Sequence, residues 1–180
     1  MLKEPELVCQ AQAGDRGAFA VLYERYFDKI YRYTVLKVGD RSEAEDMTQQ
    51  VFLKALKSIS SFKWKEVPFS AWLYRIAHNQ VVDYFRKKSR RPTADIEKCL
   101  IVSGQDTQKL VEIKMSIEQV AIAARRLTPA QQEVISLRFA GEMRIAEVAA
   151  AMGKSQGAVK ALQHSAILAL RKIFHGEDGE

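Results

Sequence analysis

Five of the six residues from Arg86 to Arg91 are cationic: Arg86, Lys87, Lys88, Arg90 and Arg91 surround Ser89. A helix dipole favours one or two cations at its C-terminal end. Five in six exceed that need and suit a row of phosphates, contacts that position a nucleic acid without reading its sequence. Just upstream, Arg75, Asn79, Val82 and Arg86 recur at helical spacing with His78 beside them. They lie on a different line from the apolar Phe69, Trp72, Leu73, Ile76, Ala77 and Val81, so one helix carries a core stripe and a separate polar row. No catalytic pattern competes. His78, His164 and His175 are scattered, and the chain has no P-loop, glycine fingerprint or recognisable carboxylate pair. The expectation is a binding protein, not an enzyme, with no cofactor and no metal.

The pattern that must position these residues is helical throughout. Pro5 and Gly14 bracket a short first helix, and a long one runs from about Arg16 to Val38, with Phe19, Leu22, Tyr23, Tyr26, Ile30, Tyr33 and Leu36 inward and Gly39 as terminator. Its tyrosines read as core volume. Ser42 and Glu45 are spaced as a capping box opening the next helix. In that helix Met47, Val51, Ala55 and Ile59, widened by Phe52 and Leu56, form the buried face. Its other side runs from Glu43, Glu45 and Asp46 through Gln49 and Gln50 to Lys54 and Lys57, which fits a plain solvated helix as well as a docking face. Phe62 to Pro68 is a broken loop, and the helix from Phe69 follows.

Beyond Pro92 the periodicity dissolves into an acidic linker whose apolar patch, Cys99 to Val102, suits docking on a domain or a partner. A helix from Leu110 to about Arg126 comes next, with Ile113, Ile117, Val120 and Ala124 as its stripe. Thr128, Pro129 and Gln131 form a second capping box, opening a helix that holds Val134, Ile135, Leu137 and Phe139. Helices over 145–152 and 156–174 are joined by Gly153, Lys154 and Ser155 alone, a spacing that suits a helix-turn-helix. Gly157 and its neighbouring alanines suit close helix approach.

Composition narrows the class. The 180 residues are 47% hydrophobic and 28% charged, as in a soluble protein, with no apolar run long enough to span a membrane. The N-terminus lacks a signal peptide's apolar core, so a cytoplasmic protein with no direct membrane insertion is expected. Cys9 and Cys99 are isolated and read as reduced thiols. The net charge of +6 belongs to residues 1–91, with 17 basic and 11 acidic side chains; residues 119–172 are again basic, 8 against 3. Two basic bodies on either side of an acidic connector suit a polyanion touched at two places.

Four blocks, 42–55 (SEAEDMTQQVFLKA), 69–86 (FSAWLYRIAHNQVVDYFR), 127–139 (LTPAQQEVISLRF) and 147–164 (EVAAAMGKSQGAVKALQH), resemble in order and spacing the extracytoplasmic-function sigma factors of bacterial RNA polymerase, in the sigma-70 family. The resemblance covers nearly the whole chain. It implies an all-α fold of two small helical domains joined by a flexible linker: residues 1–91 as sigma region 2, 92–112 as linker, and 113–180 as region 4 with its helix-turn-helix. It implies that Asp46, Gln49 and Gln50 bind the clamp helices of the polymerase's largest subunit, with a further contact to the flap of the second largest. It places promoter −10 recognition on Phe62, Trp64, Arg75, His78, Asn79, Arg86, Lys87, Lys88, Arg90 and Arg91. It places −35 recognition on Lys154, Ser155, Gln156, Lys160, Gln163 and His164. It also implies an anti-sigma factor that wedges between the domains.

Those roles are chemically coherent. Opening a duplex without ATP needs new partners for unstacked bases; aromatic stacking supplies about 1 to 3 kcal/mol per base, for which Phe62 and Trp64 are candidates. Asn79 offers a donor and an acceptor to a flipped base, while Trp72 sits on the core stripe. Two departures stand out. Arg144 occupies the helix start where the family has Ser or Thr, with Glu142 at a place where glycine is common, and Leu162, Ser165 and Ile167 replace arginines of many relatives. An ordinary helix-turn-helix regulator would leave residues 1–91 unexplained, and a pure protein-interaction adaptor would not need two basic surfaces.

Overall fold

The computed structural model describes residues 3–63, 67–89 and 122–175. The helices are α1 (Glu4–Gln12), α2 (Arg16–Val38), α3 (Arg41–Ser58), α4 (Phe69–Ser89), α5 (Pro129–Ile135), α6 (Ile145–Met152) and α7 (Gln156–His175). A 3-10 turn, Ile59–Ser61, closes α3, and a π turn, Ser136–Ala140, extends α5. The described residues contain no strand.

Local chemistry sets most of these boundaries. Asp15 caps α2 by accepting from the Gly17 and Ala18 amides, and Gly39 ends it at φ 80, a left-handed conformation that costs glycine nothing. Thr128 and Gln131 form the reciprocal box that opens α5. Gly153, at φ 62, ends α6, and Ser155 Oγ accepts the Ala158 amide 3.2 Å away to start α7. The box expected at Ser42 is not the cap of α3. Asp40 caps instead, accepting the Glu43 amide at 2.9 Å, and Ser42 lies inside the first turn. A carboxylate two residues earlier takes the orphan donor with a full charge, which a hydroxyl lacks.

The N-terminal half is a four-helix cluster. Leu22, Ile30 and Tyr33 of α2, Val51 and Ala55 of α3, and Phe69, Leu73 and Ala77 of α4 are buried, as is Tyr26. Where α2 crosses α3, Thr48 donates to the Ala44 carbonyl at 2.7 Å and its hydroxyl oxygen lies 3.0 Å from that of Thr34, so the buried polar pair is satisfied. Gln12 donates from Nε2 to the Ile59 and Phe62 carbonyls at 3.0 and 2.7 Å, tying α1 to the end of α3.

Three apolar assignments are corrected. Leu56 is 47% exposed and Phe139 is 57% exposed, so neither is core. Gly157 faces open space, with the Ser155 hydroxyl 3.9 Å from where a Cβ would sit, so no close helix approach depends on it. The helix over 110–126 and the apolar patch at 99–102 fall outside the described residues, apart from a helical turn at 122–124.

The C-terminal half packs directly on the N-terminal half. Val134, Leu137, Met143, Val148, Ala149 and Val159 join the buried cluster of α1 to α4, and Leu127, Ile135 and Ala166 form a small second cluster. The cap on α3 separates the two candidate boundaries energetically: Asp40→Ala is expected to lower stability in urea denaturation by about 1 kcal/mol, and Ser42→Ala by no more than a few tenths. Equal losses from the two substitutions would contradict the capping described above.

Candidate protein and nucleic-acid binding surfaces

The exposed side of α3 carries Asp46, Gln49 and Gln50, all open to solvent. Leu53, 48% exposed, and Leu56 continue that row toward the C-terminus at helical spacing. The face is therefore half polar and half apolar, the composition of a docking surface more than of a solvated one. The leucines were the missed signal. Their spacing from Gln49 marks the outer face, but an apolar residue next to a core stripe is read into it by default.

Helix α4 presents the second surface. Arg75, His78, Asn79, Val82 and Arg86 are exposed along one side, with Lys87 and Lys88 beyond. Arg86 pairs with Asp83 at 2.9 Å, and Lys88 lies over the Tyr84 ring, so part of the cation run is held locally. Phe62 is not on this surface. It is 5% exposed, its ring 5.7 Å from Phe69 and 5.1 Å from Trp72, and its burial corrects the expectation that it stacks on a base in this conformation. The physical reason is the Gln12 tether, which turns the chain inward at the end of α3. Trp64, Arg90 and Arg91 lie outside the described residues.

Helix α7 carries the third. Lys154, Ser155, Gln156, Lys160 and His164 are exposed, three of them on one face at steps of four. Gln163 is half-buried, and its Oε1 accepts from Arg138 Nε at 3.0 Å. Arg138 also donates to the Met143 carbonyl, so it braces the turn before α6. Arg144 supplies no side-chain cap to α6; Glu147 accepts the Arg144 amide at 2.7 Å instead. Glu142 sits at φ 54, a left-handed conformation that explains why glycine suits that place.

Between the halves lies a cluster that takes in one expected site residue, His78, with Glu133, Tyr33 and Lys37, which no expected site included. Glu133, with its side chain 12% exposed, accepts from Tyr33 Oη at 2.8 Å, faces Lys37 Nζ at 2.5 Å, and lies 3.2 Å from His78 Nδ1. Burial pushes its carboxyl up, but the bond to His78, the Lys37 charge and bond, and the Tyr33 bond outweigh it and hold the group at about 2. The bond to Glu133 pushes the His78 imidazole up, against a smaller downward effect of burial. Around the cluster, Glu142 pairs with Lys29 at 3.2 Å and Arg32 at 2.7 Å, and Ser70 donates to Glu147 at 2.8 Å. Arg75 donates to the Ala150 carbonyl at the end of α6. The structure thus joins Arg75 and His78 to the C-terminal half, and leaves Asn79 open.

Glu133 follows Gln131 and Gln132 in α5, so the sequence reads it as one of a polar run and gives no sign that its charge is buried. Its partners lie 55 to 100 residues away, so spacing could not find them.

The pattern of Sigma-70 region 2 matches residues 22–91 and that of Sigma-70 region 4 matches residues 123–172. The chain is 40% identical over 173 residues to the ECF RNA polymerase sigma factor BldN of Streptomyces coelicolor, covering 94% of this chain and 65% of that one. It is 32% identical over 176 residues to the ECF sigma factor SigW of Bacillus subtilis, covering 91% and 92% of the two chains. Among solved structures, CnrH in complex with the cytosolic domain of CnrY superimposes with a TM-score of 0.73 at 24% identity, covering 94% of this chain and 96% of that one. The sigma factor RpoE, solved with the anti-sigma factor NepR from Bartonella quintana, gives 0.71 at 22% identity, covering 87% and 96%. These two show a shared fold. No helix of the described residues is long and apolar enough to cross a membrane.

The Glu133 cluster has a defined pH window. Its carboxyl, depressed from 4.5 to about 2, contributes above 4.5 and loses its contribution as pH falls through about 2. The His78 imidazole, raised from 6.5, contributes fully below 6.5 and loses its contribution as pH rises through the raised value. The His78 ring, followed by NMR, is expected to titrate above 6.5 and to return toward 6.5 in Glu133→Gln. A midpoint that does not move in the variant would show that Glu133 does not hold the proton there.

Proposed function

The chain belongs to the extracytoplasmic-function sigma factors of the sigma-70 family, transcription initiation factors and not enzymes, and from that premise we propose how its three surfaces divide the work of directing core RNA polymerase to particular promoters. The face of α3 is the polymerase dock. Asp46, Gln49 and Gln50 supply polar contacts to the clamp helices of the largest subunit, and Leu53 and Leu56 add apolar area beside them. That mixed exposed row carries the reading, because a helix needed only for solubility has no reason to leave two leucines half open beside its amides. The flap of the second-largest subunit is the expected partner of the C-terminal half.

Helix α4 takes the −10 element. Asn79 reads one unstacked base through its amide, and Arg75, His78, Arg86, Lys87 and Lys88, with Arg90 and Arg91 beyond, hold phosphates. Trp64 is the stacking candidate; Phe62 shapes the loop from within the core. Helix α7 enters the −35 major groove, where Lys154, Ser155 and the N-terminus of α7 meet phosphate while Gln156, Lys160, Gln163 and His164 face base edges. This divides the chain into residues 1–91, a linker at 92–112, and residues 113–180. BldN is the longer protein, with this chain spanning 65% of it, so the division concerns the shared part. An anti-sigma factor is the expected negative partner. With the two halves in direct contact, a partner that wedges between them must replace the Glu133, Glu142 and Glu147 bonds.

Asn79→Ala is expected to relax discrimination at the −10 element by about 1 to 3 kcal/mol, which is 5- to 150-fold, while affinity for core polymerase stays as it was. A combined Asp46→Ala, Gln49→Ala and Gln50→Ala chain is expected to do the reverse, losing core binding and with it runoff transcription. Runoff assays beside core pull-downs separate the two. Promoter-dependent transcription that does not change when the chain is added to core polymerase, across promoters from its own genome, would overturn the function itself.

A further inference from the structure

The end of α1 makes a contact that belongs to none of the three surfaces. Gln12, the last residue of that helix, donates from Nε2 to the Ile59 carbonyl at 3.0 Å and to the Phe62 carbonyl at 2.7 Å, across 47 and 50 residues of chain. A side-chain amide nitrogen carries two protons, so this pair of bonds uses its whole donor capacity. The two carbonyls bracket the 3-10 turn Ile59–Ser61, which the Phe62 amide closes by donating to the Ile59 carbonyl at 3.0 Å. One side chain thus holds both ends of the turn by which the chain leaves α3.

The platform behind Gln12 is itself fixed. Leu7, Val8 and Ala11 of α1 are buried in the main core cluster, and Tyr26 of α2 donates to Glu4 in the first turn of α1. On the far side of the 3-10 turn the Phe62 ring is buried, and its nearest aromatic partners, Phe69 and Trp72, both lie in the first turn of α4. Asn79 follows Trp72 by seven residues, two turns further along the same helix. Displacing the Phe62 main chain therefore acts in two directions: on the residues that follow it in sequence, Trp64 among them, and on the seat of α4.

We propose that Gln12 is a positioning residue for −10 recognition: its two bonds set the direction in which the chain leaves α3 and, through Phe62, the seat of α4, so that the base-capturing residues on either side start from fixed origins. The inference rests on the reading of Trp64 and Asn79 as −10 contacts. Gln12 acts through the main chain of other residues, and its part is precision more than stability. Without it the turn keeps its own Phe62 amide bond, and the Phe62 ring keeps its place against Phe69 and Trp72. What is lost is the constraint that joins α1 to both ends of the turn, and a contact made to a flipped base tolerates little displacement of the groups that make it.

The test uses the full chain with core polymerase and a promoter that the pair transcribes. Runoff from that promoter is compared with runoff from copies carrying single substitutions in the −10 or the −35 element, for wild type, Gln12→Met and Gln12→Lys. Methionine matches the length of glutamine and donates nothing, whereas lysine keeps protons for both carbonyls. Gln12→Met is expected to keep its helicity, its affinity for core and its −35 discrimination, and to lose about tenfold of its −10 discrimination. Gln12→Lys is expected to stay within about twofold of wild type on every reading. Hydrogen exchange at the amides from Ser60 to Phe62 is expected to quicken about tenfold in Gln12→Met and to stay near wild type in Gln12→Lys. A folded Gln12→Met chain with unchanged −10 discrimination overturns the proposal. So does a loss shared equally by the −10 and −35 elements, which marks a merely structural residue, and so does a Gln12→Lys chain that falls as far as Gln12→Met, since the donors would then not matter. If Gln12→Met loses helicity, the decision passes to Gln12→Asn, which is one methylene too short to span both carbonyls. Its expected effect has the same sign and a smaller size, and a folded Gln12→Asn chain indistinguishable from wild type overturns the proposal as well. Absence of promoter-directed transcription by the wild-type chain would defeat the functional reading instead, and would leave the exchange result standing.

Discussion

A carboxylate that is nearly nine-tenths buried cannot stand without partners, and Glu133 finds each of those it has in the other half of the molecule. That requirement fixes more than one contact. Tyr33 and Lys37 lie one turn apart on α2, and His78 lies on α4, so meeting all three places α5 across the groove between those helices. Once α5 is there, the turn after it brings Gly141 against Tyr74 and Glu142 against Lys29 and Arg32, and α6 then falls beside α4. Among the described residues, the last helix keeps Lys160 and His164 exposed on its outer side.

The energetics of such a contact are steep. Two charges removed from water recover their desolvation cost only when the pair is close and the remaining lone pairs are satisfied, and breaking one partner leaves a buried charge uncompensated. Glu133 has both oxygens engaged, one by Lys37 and the other by Tyr33 and His78. Losing any of these partners would strand part of that carboxylate, which is why the contact favours the fully packed arrangement. The exposed pairs of Glu142 add little to this, because water competes for them. The one buried acid dominates the polar part of the contact, beside the apolar side chains of Val134, Leu137, Met143 and Val148.

Legibility followed the range of the interaction. Gly39, Gly153, Ser155 and the Thr128–Gln131 box act within four residues, and each was readable as a boundary. Ser42 was misread because the competing cap, Asp40, follows the glycine that ends α2 and looks like turn residue. Leu56 and Phe139 were assigned to the core because periodicity identifies a face only to within about one position, and an apolar residue at the edge is taken inward by default. Phe62 needed knowledge of Gln12, fifty residues earlier. Glu133 is the extreme case: beside Gln131 and Gln132 it reads as an ordinary polar residue, and both its burial and its partners at Tyr33, Lys37 and His78 depend on how two helical units meet.

The same geometry explains why one helix can be asked to do two things. The core stripe of α4 takes up Phe69, Leu73, Ala77 and Val81, which leaves a wide outer arc, and Arg75, His78, Asn79 and Arg86 divide it between them. Arg75 and His78 lean toward α6 and α5, while Asn79 and Arg86 lie on the side that remains open. Guanidinium and imidazole groups that can hold phosphate can equally hold a carbonyl or a carboxylate, because each donates to whichever oxygen is presented. An acidic face on the C-terminal half therefore imitates, for these side chains, the anionic ligand that a nucleic acid would offer.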